Sequence, residues 1–463
     1  MDDDFSDVIS RLWDATGTGD DRAEGMADKL ETTGPRAVLP AAFDVTGLAT
    51  GAVGVATLAA ARLLAARREA PLPVMTVDSR AACAAFAAEG LFTPIDWTQP
   101  PLWDPIAGNY RAADGWIRLH TNYAHHRAAV EQVLGAHDRD TVAAAVAGLR
   151  AEEVESAVVA AGGAAAVMHD RGEWLSSAPG AATVDAPPLS VTERPPSGAG
   201  RLISGGARPF EGVRVLDLTR VIAGPVCTKF LAGYGADVLR IDPPGFAEVP
   251  SLLPETTLGK RTAALDLTAP GDRVTFESLL AGADVLVTGL RADALAGLGY
   301  DDKALIAANP GLITASLDAY GWHGPWRDRR GFDSLVQMSC GIAADGAAAT
   351  GRDEPVPLPV QALDHATGWL LAAAIARALT RRLTGSATAR IHASLIGTAS
   401  LLYSLTPLAE QPPRPSPKDF VLEDTATAWG SARRVPLPGH IDGVAVHWPQ
   451  QAGPLGRHAA SWN

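Results

Sequence analysis

Residues 210–245 read FEGVRVLDLTRVIAGPVCTKFLAGYGADVLRIDPPG, and the order of patterns in them decides the fold. VRVLDL (213–218) is a short β-rich run, GPVCTKFLAGYG (224–235) is amphipathic with a Gly stop, and DVLRID (237–242) is a second apolar run. The same alternation continues downstream with TAALDL, a helix over Asp272–Ala281, DVLVTG, a helix over Lys303–Ala308, and LITASL. It predicts the fold class α/β, with a Rossmann-like open parallel sheet. GYGADV is no dinucleotide fingerprint. It supplies Gly233 and Gly235 without the further Gly and follows a helix instead of a strand, which disfavours NAD.

Toward the C-terminus, VPLPVQALDHATG leads into WLLAAAIARALTRRL, a helix of small residues that closes on Arg381–Arg382 and Gly385. RIHASL is a short strand or helix entry, LLYSL is apolar, and QPPRPSP (411–417) is an extended, exposed connector before a small tail. Toward the N-terminus, LPAAFDVTGLATGAVGVATLAAARLLAARR (39–68) repeats the order Leu-Pro, Asp, Thr-Gly, Ala-rich helix and Arg pair found around Asp364, with a one-residue slip. PVMTVDS then parallels ARIHAS, which makes an internal duplication the hypothesis for this half. WDPIAGNYRAADGWIRLHTN reads as a hairpin followed by two helical patterns ending near Gly163, a small α/β domain. PPLSVTERPPSGAGRLISGGARP is the clearest linker. The expected division is 1–35, an acidic N-terminal segment with a short helix; 36–186, a partial repeat carrying the smaller α/β domain; 187–209, the linker; 210–408, the Rossmann-like domain; and 409–463, connector and tail.

The chain has 463 residues, 47% of them hydrophobic, enough to bury a sizeable core. Its formal charge of -13 leaves no general footprint for nucleic acid, so an anionic ligand must find a local basic cluster. Cys83, Cys227 and Cys340 are far apart and lack CxxC spacing, which argues against disulfides and thiolate metal sites and fits reducing cytosol. They read as small buried residues. The acidic start is unlike a signal peptide, and the apolar Ala/Gly-rich run near residue 50 suits a buried helix better than a bilayer span. His120, His125 and His126 lack further ligands at metal spacing and read as surface or strand-end residues, so no metal is expected.

Asp364 stands where a loop meets a helix. A carboxylate there serves either as an N-cap or, because a helix N-terminus favours its ionised form, as a nucleophile at neutral pH. A carboxylate attacking a thioester forms a mixed anhydride and releases a thiolate, which can return to give an enzyme-bound thioester. Basic loop residues at predicted strand ends are the candidates for phosphate contacts: Lys260, Arg261, Arg291, Arg327, Arg329 and Arg330. For each alone, a solvated face is the blander reading.

The 210–245 stretch, followed in order by GKRTAALDL, ADVLVTGLRADALAGLG, NPGLITASLDAYGWHGPWRDRRGFDSLVQ and the Asp364 segment, resembles the family III CoA-transferases (CaiB/BaiF family). The ending PLGRHAASW resembles that family's closing motif. The resemblance implies coenzyme A as co-substrate, Asp364 as catalytic aspartate, and CoA contacts at Ile222, Ala223, Leu258, Lys260, Gly289, Leu290, Arg291 and Arg330. Gly289 and Leu290 replace the family's frequent Asn-Phe, and a later arginine is missing near Gly297. Phe332 stands where the racemase branch has its catalytic His, which argues against racemisation. The family's small domain follows the nucleophile segment, whereas here its counterpart resembles DPIAGNYRAADGWIRLHTNYAHHRAAVEQVLG in the N-terminal half. The chain thus resembles a tandem with part of each copy deleted, and Asp44, a relic of the second nucleophile position, is not expected to be catalytic. The implied activity is transfer of CoA from an acyl-CoA donor to a carboxylic acid through an aspartyl intermediate, in a cytoplasmic homodimer that binds neither nucleic acid nor membrane. A CoA-ester isomerase or lyase, and an inactive CoA-binding protein, are the alternatives.

Overall fold

The computed structural model describes residues 5–17, 29–195, 205–385, 387–408 and 411–462. Its centre is a seven-stranded sheet. In chain order the strands are β1 (Leu189–Arg194), β2 (Arg214–Leu218), β3 (Asp237–Asp242), β4 (Arg261–Ala264), β5 (Val285–Thr288), β6 (Ile313–Asp318) and β7 (Thr388–Ser394). They lie side by side as β4-β3-β2-β5-β6-β7-β1. Strands β2 to β7 pair in parallel, and β1 closes one edge antiparallel to β7, with Val191 opposite Ile391. Counted from β2, the parallel strands have the Rossmann order 3-2-1-4-5-6, and the direction of winding reverses between β2 and β5. The strands are buried apolar runs because helices cover both faces.

The stretch read as a linker differs from expectation at its start. LSVTER alternates side chains to two faces and pairs with β7 as the edge strand, a pattern obscured by the prolines around it. Residues 196–204 lie outside the described residues, as do 1–4 and 18–28 of the acidic segment, whose helix spans Ser6–Ala15.

Two long helices form the spine, α1 (Val45–Arg68) and α2 (Ala362–Leu383). Both are apolar around most of their circumference, the signature of a helix buried on all sides, and they pack against each other. By length and composition α1 could cross a bilayer, yet 89% of its apolar window is buried inside the protein. Each spine helix is followed by a strand and a helix: Met75–Asp78 and Ser79–Phe86 after α1, β7 and Leu395–Ser404 after α2. The repeated sequence order therefore corresponds to a repeated order of elements. Gly368 lets α2 press onto the first turn of the helix Ala223–Gly233, since a Cβ there would collide with the Ala223 carbonyl oxygen and come within 2.9 Å of Val226 Cβ. Gly368→Ala is expected to lower unfolding stability by about 1–3 kcal/mol, measured by urea denaturation, because backbone must shift to make room.

The smaller domain has an antiparallel sheet of Gly108–Arg111, Trp116–Leu119 and Ala165–Val167. Three helices pack with it, Ala124–Leu134, Arg139–Ala147 and Ala151–Ala160, one more than the sequence pattern suggests. The tail returns to the N-terminal half: His440–Ile441 pairs with Met75–Thr76, and the hairpin Glu423–Thr427/Gly430–Arg434 pairs with Thr93–Pro94.

Candidate active site

The loops after β2 and β5 diverge at the reversal point, where ligands bind in open α/β sheets. They border a cleft of ≈ 370 Å³. Ile222, Ala223, Gly289, Leu290, Arg291, Arg330 and Asp364 all line it. Seven of the nine residues that the resemblance assigns therefore meet in one place. Leu258 and Lys260 line neither this cleft nor its neighbour. Leu258 is buried, and the Lys260 ammonium, wholly inaccessible, donates to Asp217 Oδ2 at 3.0 Å and to the Pro225 carbonyl at 3.2 Å. Asp217 also accepts from Thr219 and from Thr228 Oγ1 (2.6 Å), so this buried pair shapes the β2 loop from beneath. Burial opposes the Asp217 charge, but Lys260 and Arg240 hold it below its ordinary range. Lys260→Met, which strands the Asp217 charge, is expected to cost about 3–5 kcal/mol of stability in urea titrations.

The loop itself is strained. Val221, a β-branched residue, has φ 62°, a left-handed backbone that costs on the order of 1–3 kcal/mol and persists only where its surroundings impose it. Its N–H donates to Glu248 Oε2 (3.1 Å), and Glu248 is fixed by Arg240 (3.0 Å) and by Tyr123 Oη (2.6 Å) from the smaller domain. The helix Ala223–Gly233 starts beside the cleft without a side-chain cap, leaving first-turn N–H groups for an anion.

The five arginines in the cleft separate into two groups. Arg327 pairs with Asp293, Arg329 with Glu155 (2.8 Å), and Arg220 lies 3.6 Å from Asp242 and over the Phe246 ring. Among the described residues, the Arg291 and Arg330 guanidinium groups have neither hydrogen bond nor ion pair, and burial together with Arg291 lowers the Arg330 pKa. Two unpaired cations beside one another are poised for phosphates.

Asp364 is 8% exposed and lines a second cleft as well, of ≈ 260 Å³. Its carboxylate stands where the basic cleft meets a largely apolar one walled by Phe86, Leu102, Trp103, Leu252 and Val360. It does not cap the helix. Gln361 is the N-cap without a side-chain bond, and the N–H groups of Leu363 and Asp364 donate to Asp333 Oδ2 at 2.8 and 3.0 Å. Asp333 is held in turn by the Gln337 amide, whose carbonyl accepts from Leu358 N–H (2.8 Å). Burial pushes the Asp364 carboxyl well above its ordinary range, and Asp333 and Glu89 push it further. The helix terminus therefore does not dominate its ionisation, contrary to the expectation from the dipole alone. Glu89, from the N-terminal half, has its Oε2 3.1 Å from His365 Nε2. Burial opposes its charge, but His365 keeps it below the usual carboxylate range.

Residues from the N-terminal half complete the walls. Phe332, in both clefts, stacks on His120 with centroids 3.7 Å apart and meets His126 edge-on at 5.7 Å. His120 and His126 are buried, not superficial, and only His125 is exposed. Both ring nitrogens of His126 lack a protein partner, and burial lowers its pKa to about 3, so a neutral imidazole faces the basic cleft. Asp318, at the end of β6, leaves Oδ2 unpartnered in the same cleft, and burial raises its carboxyl to about 7. Among the described residues, no group of three or more His, Cys, Asp and Glu side chains could hold a metal ion. Cys83, Cys227 and Cys340 are free and buried.

Asp44 has a different environment. Its carboxylate accepts from Gly47 N–H (2.7 Å) and is paired with Arg36, so it caps α1 and is closed to solvent.

The sequence profile of CoA-transferase family III matches residues 210–427. Acetyl-coenzyme A transferase nodX of Hypoxylon pulicicidum is 33% identical over 192 residues, which are 41% of this chain and 32% of that protein. A probable fatty acyl-CoA transferase of Mycobacterium tuberculosis is 30% identical over 233 residues, 46% of this chain and 59% of that one. The crystal structure of a CAIB/BAIF family protein from Brucella suis superposes with a TM-score of 0.37 at 25% identity, covering 48% of this chain and 65% of that one. The chain spans about half the length of the curated relatives it matches. Over residues 210–427, which hold the parallel strands of the sheet and the matched residues bordering the cleft, the chain is similar to CoA-transferase family III.

Proposed function

We propose that the protein transfers CoA from an acyl-CoA to a carboxylic acid, with Asp364 as nucleophile. The carrying observation is the place of Asp364 between a cleft with two unpaired arginines and an apolar cleft. The basic cleft fits coenzyme A: Arg291, Arg330 and the uncapped helix start suit its phosphates, and His126 and Asp318 offer unpaired groups to its polar chain.

Asp364 attacks the thioester carbonyl, the C–S bond breaks, and CoA thiolate leaves a mixed anhydride. The thiolate attacks the aspartyl carbonyl, expelling the donor's acid and leaving an aspartyl–CoA thioester. The acceptor carboxylate attacks that thioester to form a second anhydride, and the thiolate then takes the new acyl group, regenerating Asp364. No net proton is consumed. Burial that disfavours a charged Asp364 raises the energy of the resting carboxylate and favours its neutral acylated forms.

Because its pKa is raised, Asp364 is protonated and inert at low pH, and kcat/KM should climb as pH rises through the raised value. Asp333→Asn removes a like charge and is expected to move that limb to lower pH, read from a pH–rate profile of CoA exchange. Intact-mass measurement after mixing the protein with acyl-CoA donors should show an adduct on the peptide bearing Asp364. Absence of adduct and of released CoA with every donor would refute the transferase reading. The same reading carries the cytoplasmic location and homodimeric assembly drawn from sequence. Light scattering during size-exclusion chromatography tests the assembly.

A further inference from the structure

If Asp364 passes CoA onward, as proposed above, the acceptor acid occupies the apolar cleft, so the present inference rests on that reading. Among the described residues, no lysine or arginine lines this cleft; the ionisable groups that do are Glu89, Asp333, Asp364 and His120. His120 offers no charge, because burial, then Arg118 and His126, keep its imidazole neutral. Behind the wall, Arg118 lies over the Trp103 ring at 5.0 Å and donates to Asn109 (2.9 Å) while its Nε is unpartnered, and Lys229 is paired with Glu255. The unsatisfied polar atoms here, His120 Nδ1 and Ser334 Oγ, belong to neutral groups.

We infer that the acceptor is a monocarboxylic acid with an apolar, aromatic or branched body, and that dicarboxylic acids are rejected. The carboxylate of such an acid reaches Asp364 while its body meets Phe86, Leu102, Trp103 and Leu252. At roughly 30 Å³ per water-sized group, ≈ 260 Å³ accommodates about nine non-hydrogen atoms. A second carboxylate would sit there desolvated, without a cation, in the field of ionised Glu89. His120 and Ser334 leave room for one neutral hydrogen-bonding substituent on the body.

Calorimetric titration of the protein with 3-phenylpropanoate and with glutarate at neutral pH reads the selection without turnover. The aromatic acid is expected to bind at least ~30-fold tighter, and Leu252→Arg to narrow that gap at least ~10-fold by supplying a counter-charge. Val360→Lys serves the same purpose if the first variant does not fold. Equal or tighter binding of glutarate, or no binding of either acid, overturns the inference. Parallel CoA-transfer assays separate the two levels: ordered binding without transfer to any acid refutes the transferase reading alone. Transfer to glutarate as efficient as to 3-phenylpropanoate refutes the selectivity alone.

Discussion

Asp364→Asn is expected to reduce CoA transfer by about 10⁴-fold or more while making the protein more stable. The loss follows because an amide cannot form the anhydride, and among the described residues no other carboxylate lines both clefts. Asp333 is committed to the α2 backbone, and Glu89 to His365. The gain follows from linkage. The folded pKa of Asp364 is raised, so above the ordinary carboxylate range the folded state holds a proton that the unfolded chain has released. Stability contributed by that proton is present at low pH and is lost as pH rises through the raised value. The variant should therefore match the parent in acid and exceed it by about 1–2 kcal/mol at higher pH, measured as urea midpoints across a pH series. A variant less stable than the parent at every pH would show that Asp364 is a structural residue.

The second large effect concerns the unpaired arginines. Arg291→Gln or Arg330→Gln should each raise KM for acyl-CoA by about 5- to 30-fold, equivalent to about 1–2 kcal/mol for a partly solvated contact to phosphate, with kcat little changed. The double variant should lose about 10²-fold or more, and the difference from the parent should shrink in high salt. Arg329→Gln is a different case. Its guanidinium pairs with Glu155 and donates to the Ala165 carbonyl, so its loss should appear first in stability.

The central sheet was legible because its strands are short apolar runs between Gly and Asp boundaries, each separated by one helical pattern. The edge strand Leu189–Arg194 was not, because prolines on both sides give it the composition of a linker. Asp364 was legible as a residue at a helix start, but its local sequence suggested a cap, and the capping carboxylate, Asp333, comes from a segment thirty-one positions away. Asp333 follows Phe332 in GFDSLV, and its bond to the α2 backbone is the detail only tertiary structure supplies. Glu89, Trp103, His120 and His126 gave no local sign of a site, since burial and partner loss arise only when the smaller domain closes over the sheet. His120 and His126 were noticed as a cluster, and the metal-spacing test that set them aside was the wrong question for groups facing a cleft from either side of Phe332. Lys260 looked like a phosphate ligand because it is a basic loop residue at a predicted strand end and the resemblance assigns it a CoA contact. Its side chain points beneath the sheet to Asp217, which no spacing rule distinguishes from pointing outward.

The most direct measurement of the account is an oxygen-transfer experiment. The protein is cycled with an acyl-CoA and an acceptor acid labelled with ¹⁸O in both carboxylate oxygens, and the peptide containing Asp364 is then weighed. An acceptor that attacks the aspartyl thioester leaves its bridging oxygen on Asp364, so that peptide should gain one ¹⁸O in a single turnover and approach two on repeated turnover, and each new acyl-CoA should retain one. Turnover with an unlabelled Asp364 peptide would contradict the account.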